Sequence, residues 1–120
     1  MVATGTEAAT GLALMAAPAL VVRLLFGEDL SGAGLVVGRL AGMGLFSLAL
    51  ACWPSPSPTL PALRAMFIYN ALVAAFLAYL LVAGTFYGAL LIGVTVVHVV
   101  FATWLALAWS KFRTIATIQN

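Results

Sequence analysis

Apolar positions run along this chain in four long stretches, broken by three short segments rich in Gly, Pro and acidic or hydroxyl residues. The first stretch ends at Gly27-Glu28-Asp29, the second at Trp53-Pro54-Ser55-Pro56-Ser57-Pro58-Thr59, and the third around Gly84. The pattern predicts helices over about 7–26, 31–52, 61–83 and 87–110. Each is close to the ~20 residues that an α-helix needs to cross a hydrocarbon core. The expected fold class is all-α: an integral membrane four-helix bundle of four transmembrane helices with short loops, one domain over residues 1–120.

Local residues refine each element. Pro18 lies inside the first segment and predicts a kink near Leu14 to Pro18, because proline removes a helical N–H and a membrane helix tolerates this where neighbours satisfy the freed carbonyl. Ser31 is placed to N-cap the second helix, with Glu28 and Asp29 near its positive dipole end. Gly34, Gly38 and Gly42 recur every four residues on one face, a small-xxx-small row that lets another backbone approach closely, within the bundle or between copies. Alternating proline from Pro54 to Pro58 predicts an extended, stiff connector. Pro61 suits the first turn of the third helix, and Lys111 to Asn120 reads as a polar, basic tail.

Composition supplies the solvent. Of 120 residues, 65% are hydrophobic and 7% charged, against about 45–50% and 25% in a soluble domain. The charged residues (Glu7, Arg23, Glu28, Asp29, Arg39, Arg64, Lys111, Arg113) cannot cover a globule in water. The net charge of +2 comes from scattered residues with no basic patch, so nucleic acid is not an expected partner. A lone Cys52 excludes an intrachain disulfide, and no Cys/His spacing resembles a zinc site, so no metal is expected. No Lys or Arg precedes the first apolar run, which is read as a span and not as a secretory signal.

Trp53 and Trp109 are expected at one membrane interface, Phe86 and Tyr87 at the other. Arg64, Lys111 and Arg113 flank the side shared by both termini, against Arg23 on the other. The expected localisation is therefore a cell inner (plasma) membrane, multi-pass, with both termini cytoplasmic.

At about 1.5 Å per residue, Arg39 lies roughly 12 Å deep, Asn70 roughly 13–14 Å from the other face and His98 roughly 16–17 Å deep, all near the middle of a core about 30 Å thick. With Thr95 one turn before His98, these form the candidate ligand-binding polar layer. Arg39 has two readings: snorkelling to Glu28 or Asp29, with Arg23 completing an outer-rim cluster of ion pairs, or a fixed positive charge for an anionic ligand. Asn70 reads as interhelical glue or a ligand contact. His98 reads as a neutral imidazole bonded to Thr95 or Asn70, or as a haem or chlorin ligand. A proton relay through it lacks a carboxylate at depth, since Glu7 is expected at the edge of the first helix. No catalytic residues are expected: the sequence holds no HExxH, no arguable Ser-His-Asp or Cys-His arrangement, and no Gly-rich loop after a strand.

The run Pro18-Ala19-Leu20-Val21-Val22-Arg23-Leu24-Leu25-Phe26-Gly27, with Gly38-Arg39-Leu40-Ala41-Gly42 and Arg64 to Asn70, resembles small four-helix bacterial inner-membrane proteins of the DoxX-like kind, most of which lack an assigned activity. The resemblance covers most of the chain and implies a respiratory, quinol-oxidising setting without assigning catalytic residues. Small multidrug-resistance exporters are similar in length but use a glutamate well inside helix one. Fluoride channels pair a membrane Arg with polar and Phe residues, yet Ala71 to Leu80 lacks their threonines. The leading expectation is a structural or accessory subunit, forming a homo-oligomer or docking on a larger membrane complex through Gly34, Gly38 and Gly42. The alternatives are a small-solute or anion transporter using the polar layer, and a haem- or pigment-binding electron-transfer subunit.

Overall fold

A computed structural model describes residues 2–54, 59–84 and 86–118, with residues 112–118 as backbone alone. The described chain is all-helical, in five helices: α1 (Val2–Ala16), α2 (Pro18–Phe26), α3 (Ala33–Ala51), α4 (Leu60–Ala83) and α5 (Leu91–Ile118). Three of them, Ala33–Ala51, Leu60–Ala83 and Leu91–Lys111, are long and apolar enough to cross a membrane, and there are four such spans if the bent pair α1 and α2 counts as one.

The first expected helix is where sequence and structure part. It starts at Val2, not Glu7, and breaks at Ala17, where α2 leaves α1 at 115°. The cause is Pro18: its ring disfavours helical backbone at the preceding residue, and Ala17 takes φ −140°, ψ 63°. Each half closes itself, Ala17 N–H donating to Ala13 O (2.8 Å) and Val21 N–H to Ala17 O (3.2 Å). α2 then ends at Gly27, whose φ of 79° returns its N–H to Arg23 O.

Other boundaries shift less. α3 starts two residues after Ser31, and no side chain caps it; Gly32 is the cap residue and the Ser31 carbonyl accepts from Gly34 N–H (3.0 Å). α4 carries Pro61 in its first turn, as expected, and ends at left-handed Gly84. α5 begins at Leu91, later than expected, and the expected polar tail continues it as helix to Ile118. The proline-rich connector from Ser55 to Pro58 lies outside the described residues.

Packing divides the helices into two pairs, α1 against α3 and α4 against α5. In the first pair the helices run antiparallel and meet through glycine. A Cβ on Gly42 would lie 2.7 Å from Gly11 O and 2.8 Å from Met15 N, and one on Gly11 would lie 2.8 Å from Phe46 N. A Cβ on Gly38 would meet Pro18 Cβ at 2.9 Å, and one on Gly34 would meet Leu30 Cδ1 at 2.6 Å. The glycine row is thus occupied inside the chain.

Two apolar clusters join the pairs. Ala3, Cys52 and Met66 pack with Leu48, Phe101 and Leu105, so the beginning of α1, the end of α3 and the start of α4 share one end of the molecule. At the other end Leu77, Leu80 and Leu91 pack with Leu25, Phe26 and Phe86. There α2 is tied by backbone: Tyr87 N–H donates to Phe26 O (3.2 Å), Leu90 N–H donates to Leu24 O (2.9 Å), and Gly88 fits beneath Leu25 where no side chain could.

Candidate functional site

Between the two apolar clusters lies a layer of buried polar side chains from three helices. Asn70 on α4 is fully buried, and His98 on α5 is 8% exposed. Asn70 Nδ2 donates to Met66 O at 2.9 Å, which orients the amide so that Oδ1 faces His98 Nδ1, also at 2.9 Å. His98 therefore donates from Nδ1–H, leaving Nε2 as the basic nitrogen. Asn70 takes the role of interhelical bond expected of it, and it does so to His98.

The layer has a third member that residue counting placed elsewhere. Glu7 on α1 is 1% exposed, and its Oε1 stands 3.8 Å from His98 Nδ1 with no hydrogen-bond donor. The expectation of a carboxylate at the helix edge is corrected: α1 begins five residues earlier, which carries Glu7 more than a turn into the helix. The Tyr69 hydroxyl, on α4 beside Asn70, donates a hydrogen bond to the Glu7 carboxylate, and its ring meets His98 edge-on at 6.0 Å. Glu7 and Tyr69 are thus members of the layer that residue depth alone does not point to. The signal for Glu7 is its spacing: Thr4, Glu7 and Gly11 fall three and four residues apart on one helical face, and all three are buried.

The remaining candidates lie apart from this layer or beside it. Thr95 is buried, and its hydroxyl donates to Leu91 O of its own helix (2.7 Å), not to His98. Arg39 is exposed on α3. Because Gly11 faces Gly42 and Phe46, Glu7 sits opposite the turn after Phe46, about 15 Å along the α3 axis from Arg39. Arg23, Glu28 and Asp29 are likewise exposed, and among the described residues neither they nor Arg39 form the expected ion pairs; Glu7 with His98 is the acid–base pair within reach. Exposed charges gain little from pairing, since water solvates each one.

Two cavities flank the layer. One of about 390 Å³ opens at the end shared by the start of α1 and the end of α3, lined by Thr4, Cys52, Trp53, Met66, Trp104 and Leu105 among others. Thr4 and Met66 stand one turn from Glu7 and Asn70, so this cavity stops one helical turn short of the layer. The second, of about 370 Å³, is lined by Leu14, Ala41, Gly44, Leu45, Leu48 and Tyr69. His98 lines neither of them, and its ring meets Tyr69 edge-on. No group of three His, Cys, Asp or Glu among the described residues is placed to hold a metal ion.

The layer can hold one proton in two places. With Nδ1–H already on His98, an added proton goes to the Glu7 carboxylate or to His98 Nε2, and in either state the pair is neutral; without it, a carboxylate charge is left in an apolar interior. No family model, curated protein or solved structure matches the chain.

Proposed function

We propose that this chain is a small integral membrane protein of the inner (plasma) membrane, and that its Glu7–Tyr69–Asn70–His98 layer binds the coupling proton of a small-solute carrier. The observation that carries this reading is the buried, donorless Glu7 Oε1 at 3.8 Å from His98 Nδ1. Packing has no use for such a group: a charge at a helix centre costs about 2.5–3.5 kcal/mol on insertion scales, and an apolar residue would fill the space without that cost. Ionisable groups inside apolar bundles recur where protons are moved.

The membrane reading rests on the three or four apolar helices and on the residues at their ends. Trp109 meets Phe67 at a tilt of 57° (5.5 Å) under the Arg64 guanidinium (5.6 Å), at the same end as exposed Trp53 and Lys111. Aromatic rings mark an interface on either side, and basic residues gather on the cytoplasmic one, so Arg64 and Lys111 favour cytoplasmic termini. The position of Arg39 disfavours an anion as solute, since the layer holds an acid and an imidazole and no fixed positive charge.

Infrared difference spectra of the protein in lipid vesicles, between acid and alkaline buffer, test the proton site. A titrating carboxyl C=O band that disappears in Glu7→Gln is expected. A difference spectrum that Glu7→Gln leaves unchanged would overturn the reading.

A further inference from the structure

The cavity of about 370 Å³ differs from its larger neighbour in chemistry. Leu14 of α1 and Ala41, Gly44, Leu45 and Leu48 of α3 give it an aliphatic wall, and Tyr69 of α4 is its one polar side chain. Its α3 residues lie in the middle of that helix, where Ala41 and Gly44 are exposed beside exposed Leu40 and Met43. Water is a poor occupant, because an ordered water needs two to four polar partners and this wall offers one. In a membrane-spanning chain this mouth opens to acyl chains and not to the aqueous phase.

The space exists because α3 has no side chain at Gly44: a Cβ built there meets nothing within 4 Å. That contrasts with Gly42, two residues earlier, which touches backbone on α1. The one polar group in the wall is also the one that bonds Glu7.

We propose that this cavity is a binding site, reached from within the bilayer, for an apolar molecule bearing a single hydrogen-bond acceptor, such as a carbonyl, which bonds the Tyr69 hydroxyl in front of Glu7. This rests on the reading of Glu7 as the proton site and names the solute class. A phenol has one proton to donate. When Glu7 is ionised, that proton is given to the carboxylate, and the cavity faces only the lone pairs of Tyr69. When Glu7 carries a proton on the oxygen facing Tyr69, the carboxyl group donates to the phenol oxygen, and the Tyr69 O–H is free to turn to the carbonyl in the cavity. Binding of an acceptor and protonation of Glu7 therefore favour one another, and reciprocally. The titratable groups facing Tyr69 are Glu7 from α1 and His98 from α5; α3 contributes none among the described residues.

Benzophenone, an apolar ketone that inserts into nearby C–H bonds on irradiation, is a direct probe. The protein in lipid vesicles would be photolabelled and the label mapped by peptide mass spectrometry. Label on Leu14, Leu45 or Leu48 is expected, reduced about tenfold by Gly44→Phe and by Ala41→Leu, both of which fill the space. Loss of one hydrogen bond predicts a reduction of about two- to tenfold in Tyr69→Phe. Glu7→Gln, whose carboxamide donates to the phenol oxygen, keeps the label. Label confined to outward residues such as Val36, Val37 and Leu40, or cavity label indifferent to both filling variants and to Tyr69→Phe, overturns the inference. A titrating Glu7 band without cavity label defeats this inference alone, whereas cavity label without such a band defeats only the proton reading.

Discussion

The two helix pairs of this molecule are held together by opposite means. α1 and α3 meet where side chains are missing: Gly11 and Gly42 bring backbone within reach of backbone, and a single methyl group would collide. α4 and α5 meet through side chains that have specific partners, Asn70 with His98 in the middle and Leu77 and Leu80 with Leu91 towards one end. On the membrane reading proposed above, the solvent is as apolar as the side chains and burial of Leu against Leu drives little; close backbone contact and hydrogen bonds remain as the forces that choose a partner. The first pair uses contact, the second a hydrogen bond, and Glu7 and Tyr69 join the pairs across the seam.

Substitutions can separate the two means. The largest effect is expected from Gly42→Ile, which sets a branched side chain against Gly11 O and Met15 N; the loss should exceed about 3 kcal/mol, seen as a fall in folded fraction during denaturant titration in detergent. Asn70→Leu comes next, since it strands His98 Nδ1–H and should cost about 1–3 kcal/mol in the same assay. A folded fraction equal to wild type in that variant would show that the second pair does not depend on its polar bond. Thr95→Val should cost less than about 1 kcal/mol, because its hydroxyl bonds only its own helix. The smallest effect has the opposite sign: Gly44→Ala and Gly93→Ala, where a Cβ meets nothing, should stabilise by roughly 0.5–1 kcal/mol each through helix propensity. If Gly44→Ala destabilised as Gly42→Ile does, the contrast between contact glycines and open glycines would fail.

Much of this architecture was legible from residue order. α4 is legible to within a residue because Pro61 and Gly84 mark both of its ends by backbone chemistry alone. Gly38 and Gly42 stand out as contact positions, and their partners, Pro18 and Gly11, do not, since a small residue advertises closeness without saying to what. The turn at Ala17 is 115° and not a mere kink: proline dictates that a helix breaks, while the direction of the second half is set by residues 86–90, far away in sequence. Arg39 shares an expected depth with Asn70 and His98 but not their layer, because counting residues measures depth along a helix and not rotation about it or register against a neighbour. Glu7 shows the same limit in reverse: a helix expected to start at Glu7 puts that residue at its edge, whereas a start at Val2 places it inside.

The backbone ties at α2 also set an order of events in biosynthesis. Residues 2–26 leave the ribosome as one apolar stretch, and the groups that receive α2, the N–H groups of Tyr87 and Leu90 and the space above Gly88, do not exist until more than half of the chain has followed. At about 5–20 residues per second that interval is roughly 3–13 s. For that time Leu24 O and Phe26 O have no partner from residues 87–90, and those later residues do not yet fix the direction in which α2 leaves Ala17. The break itself is local to Pro18, but the direction of the bend is fixed late, when residues 87–90 arrive.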